Sequence, residues 1–234
     1  MNPEQAPFPA GWYGFELQGY RECDATYCLF PYASLPPLDA SLLRGEFEWL
    51  ADLADHLQQV MGGYRPPQEG QERLSANLNR LTAEATQTGL KLPVAFLKFM
   101  GAPYLQDRMP SCTACYFDLS ERIIESSAGD GGYLIRFLND QQDVLLWYLY
   151  LNSQGDHCVL VSPIFFDEPP GDLTPERIRN HTFFCAPSFE AFIFRFWLEN
   201  HIWFALEEGA LIGEQRRYLS HYRSRDSTHP SHGL

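Results

Sequence analysis

The chain has 234 residues, 45% apolar and 15% aromatic, with 30 acidic against 17 basic side chains and a formal net charge of −13. That length can bury a sizeable core, and the aromatic content excludes a disordered polar chain. The acidic balance argues against nucleic acid as the main partner, because phosphates would be repelled on average.

The longest apolar run, 144–151, is eight residues, well short of a membrane span. The opening MNPEQAPFPAGW lacks the basic start and apolar stretch of an export signal, so a cytoplasmic chain without membrane contact is expected. Residues 1–38 are rich in Pro, Gly and aromatics and read as an irregular arm, with a short strand at 27–30. Its large apolar groups require it to lie along the body. Asp39 reads as the N-cap of a long helix over 39–61, in which Leu43, Phe47, Leu50, Leu53, Ala54, Leu57 and Val60 form a stripe ended by Gly62-Gly63. A second helix is predicted over 71–86, and a third over 93–100 opened by Pro93, with Phe96, Leu97 and Met100 inward.

The period then changes. Residues 133–138, 144–151 and 157–162 read as strands joined by turns at 139–143 and 152–156, which makes an antiparallel meander. In the middle strand Leu145, Trp147, Leu149 and Leu151 point one way. Leu146, Tyr148 and Tyr150 point the other, onto a half-wet face with their phenol tips in water. After a proline-rich connection with a helical turn following Thr174, Ser188 caps a central helix from 189 to about 206 that is apolar on most sides. A short helix at 214–222 precedes a disordered tail, 223–234. The expected fold is a single α+β domain over 39–222, with a mostly antiparallel sheet packed by helices.

The chemistry-bearing residues form no catalytic set. Six cysteines in a long chain without an export signal read as free thiols. Cys112 and Cys115 make the one CxxC, and a zinc site would need Cys23 and Cys28 as well, at an unusual spacing. No HExxH, GxSxG, P-loop or dinucleotide pattern is present. No catalytic residue, metal or cofactor is therefore expected. Charge is more informative: residues 111–175 hold ten acids and two bases. Either these acids only solvate loops, or they form a face for a basic partner.

Several segments carry a family pattern. Leu92-Pro93-Val94-Ala95-Phe96-Leu97-Lys98-Phe99-Met100 resembles the helix that opens the core of the SUKH superfamily. Residues 133–140 and 144–151 resemble its paired strands, 157–161 the next strand, and Ser188-Phe189-Glu190-Ala191-Phe192-Ile193 the start of its closing helix. The resemblance covers about residues 75–206. Where members commonly carry an Asn-Gly turn after the first helix, this chain has Gly101-Ala102-Pro103-Tyr104, so any partner contact at that loop does not carry over. The resemblance implies an α+β fold without shared catalytic residues. It also implies a function as an immunity protein that binds and blocks a toxin, often a nuclease, or as a scaffold in cell-wall signalling. A protein partner, such as a basic toxin domain, is thus expected on an acidic face of Asp140, Asp143, Asp156, Asp167, Glu168 and Asp172, with Tyr148 and Tyr150 as aromatic anchors. A Cys112/Cys115 enzyme is the remaining alternative.

Overall fold

The computed structural model describes residues 1–62, 68–168 and 173–226. Its centre is a six-stranded antiparallel sheet. Strands β5 (Tyr133–Asn139), β6 (Leu146–Leu151), β7 (His157–Ser162) and β8 (Phe183–Ala186) follow one another. Two short strands, β3 (Tyr116–Phe117) and β4 (Ile124–Glu125), share the outer edge of β5. The five-residue turns predicted between β5, β6 and β7 set this meander. Leu149 faces Ile135 on one side and Val159 on the other.

One face of the sheet shares a core with α2 (Gln68–Thr88), α3 (Val94–Met100), the short α4 (Pro103–Gln106) and α6 (Phe189–Glu207), with Phe96, Phe137, Trp147, Phe189 and Phe192 at the centre. Ser188 caps α6 by accepting from the Ala191 amide at 3.2 Å, as the sequence predicts. Thr174 likewise caps α5 (Pro175–His181), accepting from the Arg177 amide.

The opposite face is the first correction. Tyr148 and Tyr150 do not lie half-wet: both are buried in a second core with Phe8, Ile124, Leu134, Leu160, Phe166, Ile178 and Phe184. The lid is assembled from the N-terminal segment, β4, the stretch after β7 and α5. None of these is adjacent to β6 in sequence, so the alternation within one strand could not reveal it.

The second correction is the long helix over 39–61. Asp39 does cap a helical turn, accepting from the Ser41 amide at 2.9 Å, but the turn ends at Leu42. Regular helix resumes only in α1 (Asp55–Gly62). Between them Gly45 and Phe47 have φ of +79° and +57°, the left-handed region that breaks a helix. Tertiary contacts outweigh the local pattern here. Glu190 on α6 accepts from the Gly45 amide at 2.6 Å and from the Trp49 indole at 3.3 Å. Phe47 packs 5.2 Å from Phe99, and Trp49 lies 4.7 Å from Phe194. Phe47, Leu50 and Leu53 of the stripe are thus buried as anchors of a loop.

The N-terminal arm lies along the body, and it contains a hairpin of β1 (Gly11–Gly14) and β2 (Cys28–Pro31). The Phe184 amide donates to Pro9 O, which docks the arm on the outer edge of β8 and blunts that edge. Cys23 and Cys28 form a disulfide in this hairpin, with Cα atoms 5.6 Å apart, so the expectation of six free thiols is corrected; Cys112, Cys115, Cys158 and Cys185 are free. The last helix, α7 (Gly213–Asp226), takes in residues 223–226 of the expected tail, and 227–234 lie outside the described residues. No helix among the described residues is long and apolar enough to cross a membrane.

Candidate functional site

The site begins with an irregularity in β5. Arg136 pairs with Tyr148 and Leu138 with Trp147, leaving Phe137 as an extra residue in a bulge. Phe137 and Leu138 both enter the helix-side core. Arg136 and Asn139, three apart, consequently emerge on the same face, where a regular strand would send them to opposite faces. The Arg136 guanidinium donates from Nη1 to Asn139 Oδ1 at 2.6 Å.

Around Arg136 the chain gathers carboxylates from three segments. Asp167 accepts through Oδ2 from Nε at 3.1 Å and Nη2 at 2.9 Å. Asp118 Oδ2 accepts from Nη1 at 3.2 Å, while its other oxygen accepts from Arg73. Asn139 passes the network on, donating to Asp143 Oδ1 at 3.2 Å, and Tyr116 donates to the same oxygen at 3.3 Å. Phe165 lies against the guanidinium, 4.9 Å from ring centroid to Cζ. Burial alone would lower the Arg136 pKa, but Asp167 and Asp118 carry it above its ordinary value, so the charge is permanent.

Tyr148 has a positioning role in this arrangement. Its hydroxyl donates to Ile164 O at 2.8 Å and accepts from the Phe166 amide at 3.2 Å. These two bonds pin residues 164–166 and bring Phe165 and Asp167 over Arg136. Burial raises the Tyr148 phenol well above its ordinary pKa, so the donor stays protonated.

The structure divides the acids predicted from the sequence. Leu146 pairs with Ser162, so the turn carrying Asp143 and the exit from β7 carrying Asp167 and Glu168 share one end of the sheet. Asp143 and Glu168 are exposed there, and Asp167 is half-buried. Asp140 sits in the same turn but is buried, accepting from the Tyr27 hydroxyl at 2.7 Å and the Gln142 amide at 2.9 Å; it shapes the turn and is not part of the surface. Asp156 is exposed in the turn at the far end of β6. Tyr150 is buried under Phe8 and cannot be a surface anchor. Asp172 lies outside the described residues.

Sequence reasoning missed Arg136, Asp118, Ser120 and Phe165. One signal was available: an arginine inside the apolar strand YLIRFLN must find carboxylates or leave a buried charge unpaired. Ser120, Glu121, Arg122, Arg136, Phe165 and Asp167 line a cleft of about 400 Å³, open to solvent.

A second, more apolar cleft, with only about 70 Å³ of cavity volume, is lined by Met61, Leu74, Met109, Cys115, Phe117 and Phe196 among others. No side-chain N or O atom on its lining is both buried and unpartnered. The CxxC thiols are unlike those of a reactive pair. Burial raises Cys112 and Cys115 above the ordinary thiol pKa, the opposite of the depressed value a nucleophilic cysteine carries. Cys23 and Cys28 are bonded to each other, so the four-cysteine zinc set weighed from the sequence does not assemble. Among the described residues no three His, Cys, Asp or Glu side chains group as metal ligands.

Comparison of the chain with known protein families, with curated proteins and with solved structures finds no match.

Proposed function

We propose that the protein is a noncatalytic binding module that presents the β5–β6 turn end of its sheet to a basic protein partner, and that this partner is a toxin domain it neutralises. The observation that carries the reading is the composition of that end. Exposed Asp143 and Glu168 and half-buried Asp118 and Asp167 lie at this end together with two apolar side chains, Val144 and Phe165, that are 47% and 36% exposed. Exposed apolar side chains interspersed with charged ones are what a protein interface combines. The acids would speed encounter with a basic surface, and the apolar contacts would set the lifetime of the complex. The toxin rests on the resemblance to SUKH immunity proteins, carried by the order of the segments between residues 75 and 206. The raised Cys112 and Cys115 thiols support a binder over a cysteine enzyme.

The test is affinity capture from a native lysate, eluted with rising salt and identified by mass spectrometry, followed by an inhibition assay on the captured protein. A basic toxin domain that elutes with salt and loses activity in the complex supports the reading. Signalling or wall-synthesis proteins would replace it with the scaffold. A partner whose association is unchanged by Asp143→Asn with Glu168→Gln would remove this end of the sheet from the interface.

A further inference from the structure

The cleft beside Arg136 holds more hydrogen-bonding capacity than the protein uses. Asp167 offers Arg136 only Oδ2; its Oδ1 is buried with no partner among the described residues. Ser120 is 1% exposed, and its hydroxyl is also buried and unpartnered. Both residues line the same cleft. Bare polar atoms are few in native interiors, and each costs about 1–3 kcal/mol when it stays dry. Two of them, on residues that line one cleft, indicate an occupant that reaches in beside them.

We propose that this cleft is a subsite for a cationic N–H donor, the guanidinium or ammonium end of a partner's arginine or lysine; the partner's involvement rests on the function proposed above. A carboxylate oxygen only accepts, so the occupant must donate, which excludes phosphates and carboxylates. A serine hydroxyl can accept from the same occupant. Charge then selects a cation over a neutral amide. The buried guanidinium of Arg136 is shared by two carboxylates, Asp118 and Asp167. The second cation on Asp118, Arg73, has a side chain 60% exposed and is largely screened by solvent. The half-buried cluster therefore carries a surplus carboxylate. At the rim Glu121 pairs with Arg80 at 3.8 Å, and these two and Arg122 are exposed and screened in the same way. Phe165 flanks the cleft with an aromatic ring of the kind on which guanidinium groups pack. Between the two cations, the planar fork of a guanidinium suits two separate acceptors better than an ammonium does.

The experiment uses the purified full chain without partner. It is titrated with N-methylguanidinium chloride, n-butylammonium chloride or sodium chloride at matched ionic strength, and backbone amide NMR shifts are followed. Saturable millimolar shifts clustered at Ser120, Glu121, Phe165 and Asp167 are expected, with methylguanidinium several-fold tighter than butylammonium. Asp167→Asn is expected to weaken binding about tenfold, the worth of one charge-assisted hydrogen bond. Because that change also touches Arg136, Ser120→Val serves as a second variant. Its hydroxyl has no partner to lose, and the added methyl fills the cleft, so binding weakens while the fold persists. Shifts that are linear in concentration, equal in sodium chloride, or unchanged in both variants would overturn the subsite and leave the cleft to water. A captured partner indifferent to Asp143 and Glu168 would instead overturn the interface reading, and the titration would still decide the cleft.

Discussion

His201 shows how a single side chain on a crowded helix sets a pH limit. It sits on α6 beside Trp197, 4.8 Å between ring centroids, with Nε2 buried and unpartnered among the described residues. Burial holds its pKa down at about 4, below the ordinary 6.5. The folded state therefore keeps His201 neutral where the unfolded chain begins to take a proton. Its contribution is fully present above pH 6.5 and is lost progressively as pH falls through that value towards 4. The loss should be on the order of 2–3 kcal/mol. Urea unfolding at neutral pH and near pH 4 should show the wild type losing that much relative to His201→Gln; parallel losses would place the acid sensitivity elsewhere. At the same scale, Gly132 is required by a close approach. A Cβ there would lie 2.1 Å from the buried Tyr150 ring, a constraint that the sequence, which offers only a Gly-rich turn, does not disclose.

Among the elements, α6 explains both what the sequence revealed and what it hid. Its breadth of apolar residues marks it as central, and the structure places it there. Its buried polar residues had no visible purpose in sequence, because their partners lie in distant parts of the chain, several of them irregular segments. Glu190 holds Gly45 and Trp49, and Asn200 accepts from the Cys112 amide at 2.7 Å. Glu199 accepts from Arg21 at 2.7 and 2.8 Å, from Trp12 at 2.9 Å and from Tyr218 at 2.7 Å. These long-range hooks outweigh a helical stripe over 39–61, whereas β5, β6 and β7, whose partners are neighbours in sequence, were legible within a residue or two, and β1, β3, β4 and β8 were not. Burial alone would raise the Glu199 carboxyl, but Arg21 and its other partners carry it below the ordinary carboxylate range, so it stays ionised. Glu199→Gln should cost about 3–5 kcal/mol, because it leaves Arg21 charged and uncompensated in the interior. Chemical denaturation measures the cost, and proteolysis should then reach the N-terminal arm first. A loss below 1 kcal/mol would mean that water reaches Arg21.

For the molecule as a whole, the net charge of −13 matters less than where the strands carry it. The acidity of residues 111–175 was legible as a count, but its division between the two ends of the sheet depends on strand direction and on a bulge. β6 is six residues long, so about 17 Å of strand separates the Asp143 turn from the Asp156 turn. That separation is about twice the screening length at physiological salt, and the two ends act as distinct electrostatic sites. Neutralising one end should therefore affect a partner in a way that neutralising the other does not. Asp143 has φ of +54° and accepts from Tyr116 and Asn139, so asparagine, which tolerates that backbone and keeps an acceptor oxygen, is the conservative replacement. Asp143→Asn with Glu168→Gln should slow association with the captured partner by about tenfold at low salt, with most of the difference vanishing as salt is raised. Asp156→Asn should change the rate by less than about twofold under the same conditions. Stopped-flow association over a salt series reads both. Equal slowing by the two replacements would show that the partner responds to overall charge, and the assignment of one end of the sheet as the binding face would fall.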